Sequence, residues 1–152
     1  MANINGVVIK PLRAFEDSRG SLIEIHRRDE DGLEVLMGYI SHTRFGCSRG
    51  PHEHRHQTDL FVFAGPGDFV TCLWDNRKES ETYGQKIRLI VGESNMVSMI
   101  VPPGVIHGYK SISPAGSVSI NLPDKLYRGE GRTEEVDEIR YENLPDCEYK
   151  IE

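Results

Sequence analysis

The chain is a succession of short β-rich runs broken by glycine, proline, asparagine and aspartate: GVVIKPL, GSLIEIH, EVLMGYIS, DLFVFAG, DFVTCLW, KIRLIV, MVSMIVP and SVSINL. Runs of this kind, spaced by roughly 8–15 residues with turn formers between them, predict an all-β sandwich or small barrel, and no segment carries a strong helical period. LFVFAGPGDFVTCLW reads as a hairpin with Gly65-Pro66-Gly67-Asp68 as its turn. A length of 152 residues suits one domain with its own core, spanning 1–152. The tail from about 128 to 152 is acidic and poor in apolar residues. It is expected as a loop with a short terminal helix, or an extended arm, packed on the outside.

A formal charge of −6 and the lack of a basic run argue against a nucleic-acid partner. No stretch reads as a secretory leader or a membrane span, so no membrane partner is expected. Cys47, Cys72 and Cys147 are odd in number and unremarkably spaced, and read as reduced thiols of a cytoplasmic protein.

Chemistry concentrates in Arg49–Asp59, RGPHEHRHQTD, which leads into LFVF at Leu60–Phe63. On a strand, side chains two apart share a face, so His52, His54 and His56 are expected to point one way, into a cavity. Pro102-x-Gly104-x-x-His107 can return a further imidazole to that space. His52-x-His54 followed by Asp59, with His107, resembles the metal motif of cupins, and three imidazoles with a carboxylate would suit a transition metal. Equally, a metal-free site can use one imidazole as a base at neutral pH. His56 reads as a solvent or hydrogen-bonding residue, and His26 and His42 carry no motif. Trp74, Phe61, Phe63 and Phe69 read as core.

Four segments in order carry a specific resemblance: DSRGSLIEI at Asp17–Ile25, RGPHEH at Arg49–His54, DNRKESETYGQ at Asp75–Gln85 and VPPGVIHGYKSIS at Val101–Ser113. Together they resemble the dTDP-4-dehydrorhamnose 3,5-epimerase family of cupins, over most of residues 7–127. The resemblance implies a cupin jelly-roll barrel, homodimeric, with no cofactor or metal. The implied substrate is a dTDP-linked 4-keto-6-deoxysugar, in cell-surface polysaccharide biosynthesis. In that chemistry a histidine removes a proton next to the ketone, a cation steadies the enolate oxygen, and an acid returns a proton to the other face. Carried over, the base falls on His52 and the second active-site histidine on His107. Arg49 matches the arginine that meets the nucleotide-sugar phosphates, a task that suits a guanidinium fork. Arg19 and Glu24 match residues that line the nucleotide site, partly from the dimer partner.

The sequence also departs from the family. The family's lysine falls near Asp59, which takes its place among the substrate-site candidates with the charge reversed. The tyrosine acid aligns with Ile120, beside Asn121. The aspartate that orients the base lies further along the family's chain than this sequence reaches. A second branch, the dTDP-4-keto-6-deoxyhexose 3,4-ketoisomerases, matches DSRGSL, Tyr39 and RG-x-His-x-His. It makes His54 and Tyr39 catalytic candidates beside His52 and His107, with Tyr109 an alternative acid. The expected activity is sugar-nucleotide epimerisation. The alternatives are ketoisomerisation of the same substrate class, a metal-binding cupin using His52, His54, Asp59 and His107, and an inactive sugar-nucleotide binder.

Overall fold

The computed structural model describes residues 3–152. Turn residues cut the chain into strands of three to eight residues, which hydrogen-bond into two five-stranded antiparallel sheets and one separate ribbon. The first sheet holds β1 (Val8–Pro11), β9 (Val97–Val101), β6 (Asp59–Phe63), β11 (Ser117–Asn121) and β4 (Tyr39–Thr43), in that order across it. The second runs β12 (Glu138–Arg140), β5 (Ser48–His54), β10 (Val105–Ser111), β7 (Asp68–Asp75) and β8 (Lys86–Gly92). β2 (Ala14–Asp17) and β3 (Gly20–Ile23) pair only with each other. This is the expected jelly-roll barrel, two sheets with their apolar faces together. The one α-helix among the described residues, α1 (Arg28–Asp31), is a single turn closed by Gly32 at φ 71°. Among the described residues, no helix is long and apolar enough to cross a membrane.

Phe61, Phe63, Phe69, Leu73, Met99, Val101, Val105 and Tyr109 fill the space between the sheets. Tyr109 meets Phe61, Phe63 and Phe69 edge to face, with centroids 5.0 to 5.6 Å apart, an arrangement the ring quadrupoles favour. The aromatic residues read as core are therefore core, with Trp74 at its rim beside Val70, Cys72 and Ile151.

The hairpin expected across Gly65–Asp68 does not form. β6 pairs with β9 and β11, whereas β7 pairs with β10 and β8, so the turn carries the chain from one sheet to the other. Gly67, at φ +79°, sits where a Cβ would collide with the carbonyl of Gly116. A tight glycine turn satisfies either connection, which is why the local signal misdirects. Burial explains the continuous apolar runs. All of β6 is buried, and the outer face of β7 is covered by Ile151 from the tail.

That tail does more than coat the surface. It makes a 3-10 turn at Glu130–Arg132, then adds β12 to the edge of the second sheet. Tyr141 follows, its hydroxyl donating to Glu53 Oε1 at 2.6 Å, and Tyr149 packs on Trp74 with centroids 5.4 Å apart.

The DNRKESETYGQ segment folds around one carboxylate. Asp75 accepts hydrogen bonds from the Arg77 backbone N–H, Nε and Nη2, and from Ser80 Oγ and Thr82 Oγ1, at 2.6 to 3.1 Å. Its burial opposes ionisation, but these donors, Arg77 foremost, hold its carboxyl well below the usual range.

Candidate active site

β5 and β10 lie side by side with His52 and His107 directly opposite. Strand alternation puts His54 on the same face, and the three rings converge: centroids are 4.6 Å apart for His52–His107, 5.7 Å for His52–His54 and 6.0 Å for His54–His107. β5 ends at His54, so His56 lies beyond the alternation, exposed in the following loop. His26 sits apart against Asp31, and His42 against the Ala115 carbonyl.

Asp59 opens β6 in the opposite sheet and reaches the imidazoles from inside the barrel. It is fully buried. Its Oδ1 accepts from Gln57 Nε2 at 2.8 Å and Asn121 Nδ2 at 2.9 Å. Its Oδ2 lies 3.0 Å from His54 Nε2 and 3.3 Å from His107 Nε2, neither aligned as a hydrogen bond. Burial opposes the Asp59 charge, but the adjoining His107 and His54 rings outweigh it and keep the carboxyl far below its ordinary value. The same pairing raises His54, for which burial works the other way and is overcome by Asp59. His107 donates from Nδ1 to the Val105 carbonyl at 2.9 Å, since a carbonyl can only accept. That bond turns Nε2 toward Asp59.

His52 differs from its neighbours. It lines an open cavity of about 300 Å³ together with Tyr39, Arg49, Tyr109, Glu138 and Arg140. Burial, with His107 and His54 alongside, holds its pKa down to about 3. His52 is thus an uncharged imidazole at neutral pH. Tyr39, across the cavity, accepts a hydrogen bond from Asn121 Nδ2 at 2.8 Å. Its phenol is pushed up to about 12 by burial, against the opposing effect of that bond. It remains a proton donor. Arg49 is held at the rim by Nε to Thr43 Oγ1 at 2.9 Å and Nη2 to the His42 carbonyl at 3.1 Å. A larger cavity of about 470 Å³ shares Tyr39 and Glu138 and runs on past His54 to Lys125, Tyr127 and Arg128.

Of the residues singled out from sequence, His52, His54, His107, Tyr39, Asp59 and Arg49 come together. Asp59 stands behind the imidazoles rather than on the cavity wall. Arg19 and Glu24 are not part of this cluster: Arg19 is 88% exposed and paired with Asp17, and Glu24 lies 3.9 Å from Arg27. Ile120, where the family's tyrosine aligns, has no ring to offer and pairs with Ile40. Its neighbour Asn121 is the residue that reaches the site. Gln57, Glu138, Arg140 and Glu142 escaped the sequence reading. The signal for Gln57 is its place two residues before Asp59, whereas the other three carry no local signal.

A family profile described as dTDP-4-dehydrorhamnose 3,5-epimerase matches residues 1–138. The chain belongs to the dTDP-4-dehydrorhamnose 3,5-epimerase family. Among relatives of this epimerase family, a protein of Haloferax volcanii called "Probable low-salt glycan biosynthesis epimerase Agl13" is 36% identical over 138 residues, covering 89% of this chain and 88% of its own. The "Spore coat polysaccharide biosynthesis protein SpsL" of Bacillus subtilis is 36% identical over 109 residues, covering 70% of this chain and 71% of its own. A dTDP sugar isomerase of Desulfovibrio desulfuricans superposes with a TM-score of 0.84 over 99% of this chain and 93% of that one. At 20% identity that likeness is one of fold, the cupin barrel. Family membership places the chain among sugar-nucleotide isomerases.

Proposed function

We propose that this protein epimerises a dTDP-linked 4-keto-6-deoxysugar, without a metal, in the biosynthesis of a surface polysaccharide. One observation carries the reading: on a barrel of the epimerase family, an uncharged imidazole and a protonated phenol line the same cavity. His52 takes the proton from the carbon beside the ketone, and the C–H electron pair moves into the enolate. Tyr39 then returns a proton to the opposite face, inverting the carbon. Arg49 meets the diphosphate, and the nucleoside extends past Tyr39 into the larger cavity. The exposed apolar residues of the β2–β3 ribbon, Phe15 and Leu22, support a homodimer in which Arg19 and Glu24 approach a partner's site. Free cysteines, one of them exposed, suit a reducing compartment, and we place the enzyme in the cytoplasm.

The test is proton exchange. Incubated in deuterated water with dTDP-4-keto-6-deoxyglucose, the enzyme should place deuterium at C3 or C5, with the inverted product visible by NMR. A 3-keto product would instead assign ketoisomerisation, and binding without exchange an inactive binder. Tyr39→Phe separates the two faces of the reaction. It should cut inversion by about 10²-fold while His52 continues to exchange the proton, so label is gained with retention. A merely structural tyrosine would lower both rates together.

A second reading rests on its own observation. Ligand nitrogens of His52, His54 and His107 lie within 4.8 Å of one another, and Asp59 Oδ2 and His107 Nε2 are buried without aligned partners. Such a donor set suits a tetrahedral divalent cation. Elemental analysis of untagged protein decides between them: one tightly held equivalent of zinc or iron overturns the metal-free account.

A further inference from the structure

Strand β12 pairs with β5 so that Glu138 faces His54 and Arg140 faces His52. Residues directly opposite on antiparallel strands project to the same side. Arg140 therefore shares the face of the base, and its side chain lines the same cavity. Arg140 Nε donates to Glu138 Oε2 at 2.6 Å. That bond fixes the plane of the guanidinium, whose remaining N–H groups have no partner among the described residues. Arg49, the other arginine of this cavity, is already tethered to Thr43 and His42. Asp59, which stands where a cation would serve the chemistry, is buried and negative.

We propose that Arg140 is the cationic donor to the enolate oxygen, a catalytic residue supplied by the C-terminal strand. The inference rests on the proton-transfer reading above. As His52 takes the proton, the C–H pair forms the new carbon–carbon π bond and the carbonyl π pair moves onto oxygen. There the guanidinium donates a hydrogen bond to the developing charge. When Tyr39 delivers its proton to carbon, the pairs return and the ketone is restored, so no oxidant or reductant enters. A guanidinium suits this role because it stays charged at any working pH and presents several donors in one plane. Its positive charge also contributes to keeping His52 unprotonated, so one side chain assists both the base and the oxyanion.

The experiment compares wild type, Arg140→Gln and Arg140→Lys with dTDP-4-keto-6-deoxyglucose, following deuterium exchange and steady-state kinetics, with dTDP affinity by calorimetry. Arg140→Gln should lower kcat by about 10²–10³-fold, the range for loss of one oxyanion donor, with KM and dTDP affinity within about threefold. Arg140→Lys should recover part of that loss, because a charge remains. A raised KM with unchanged kcat makes Arg140 a phosphate ligand and overturns the proposal. Unchanged kinetics overturn it as well. In both cases wild-type exchange leaves the proton-transfer reading standing. Absence of exchange in the wild type removes that reading, and this assignment with it. Thermal midpoints check folding, and should Arg140→Gln fail to fold, Arg140→Lys decides: wild-type kcat in that variant, with weaker dTDP binding, overturns the proposal.

Discussion

Substitution of His52 by glutamine should lower kcat with dTDP-4-keto-6-deoxyglucose by roughly 10²–10⁴-fold, the range for losing a positioned general base. Glutamine keeps a polar side chain of comparable reach, so dTDP affinity should hold within about threefold. The loss then belongs to the chemical step rather than to binding. Solvent exchange should vanish together with turnover, which distinguishes this variant from Tyr39→Phe. The pH profile gives an independent check. Because burial and the neighbouring imidazoles lower the His52 pKa to about 3, its basic form persists well below the usual histidine range. In kcat/KM, which reports the free enzyme, His52 should impose no acid limb between pH 8 and 5. A fall centred near 6.5 would instead mark an imidazole in an ordinary environment and overturn the lowered pKa of His52.

The second large effect is on stability. Asp75→Asn should cost about 3 kcal/mol, at the low end of breaking a buried ion pair because Arg77 keeps contact with water. Asparagine keeps the shape but loses the charge, and its amide group puts donors opposite donors: the Arg77 fork and the Ser80 and Thr82 hydroxyls all point at this position. Urea unfolding at pH 7 should show the difference as a lower midpoint with the same slope. The pH dependence has a definite sign. The folded carboxyl titrates below its unfolded value of about 3.9, so its contribution is complete above that pH and is lost as pH falls toward the folded value. Wild type and variant should therefore converge in acid. A gap that stays constant down to pH 3 would assign the effect to packing instead of charge.

How much of this was legible in the sequence varies residue by residue. His52 and His54 were readable because a strand has a period of two and two sites apart is one face. His107 followed from its proline-glycine approach. The jelly-roll barrel was readable from the number and spacing of β runs, but not the pairing of β6 and β7. Gly65-Pro66-Gly67-Asp68 has the same local chemistry whether it joins neighbours in one sheet or crosses between two, and only tertiary packing decides. Asp59 showed as a reversed charge, while its role as a buried counter-ion depends on Gln57, Asn121 and His107 meeting it from three elements. β12 had no signature at all. Three residues, two of them charged, offer no period, and the register that places Arg140 opposite His52 exists only in the folded sheet.

The match to the family profile ends at Glu138, the first residue of β12. The boundary has a physical meaning. His52 and Asp59 sit on strands sealed into the barrel, where a change of volume or charge is costly. The third wall of the cavity is a short edge strand whose arginine is half in water, and replacement there disturbs little of the core. A substitution on that wall therefore changes the groups that face the cavity without disturbing the packing around His52 and Asp59.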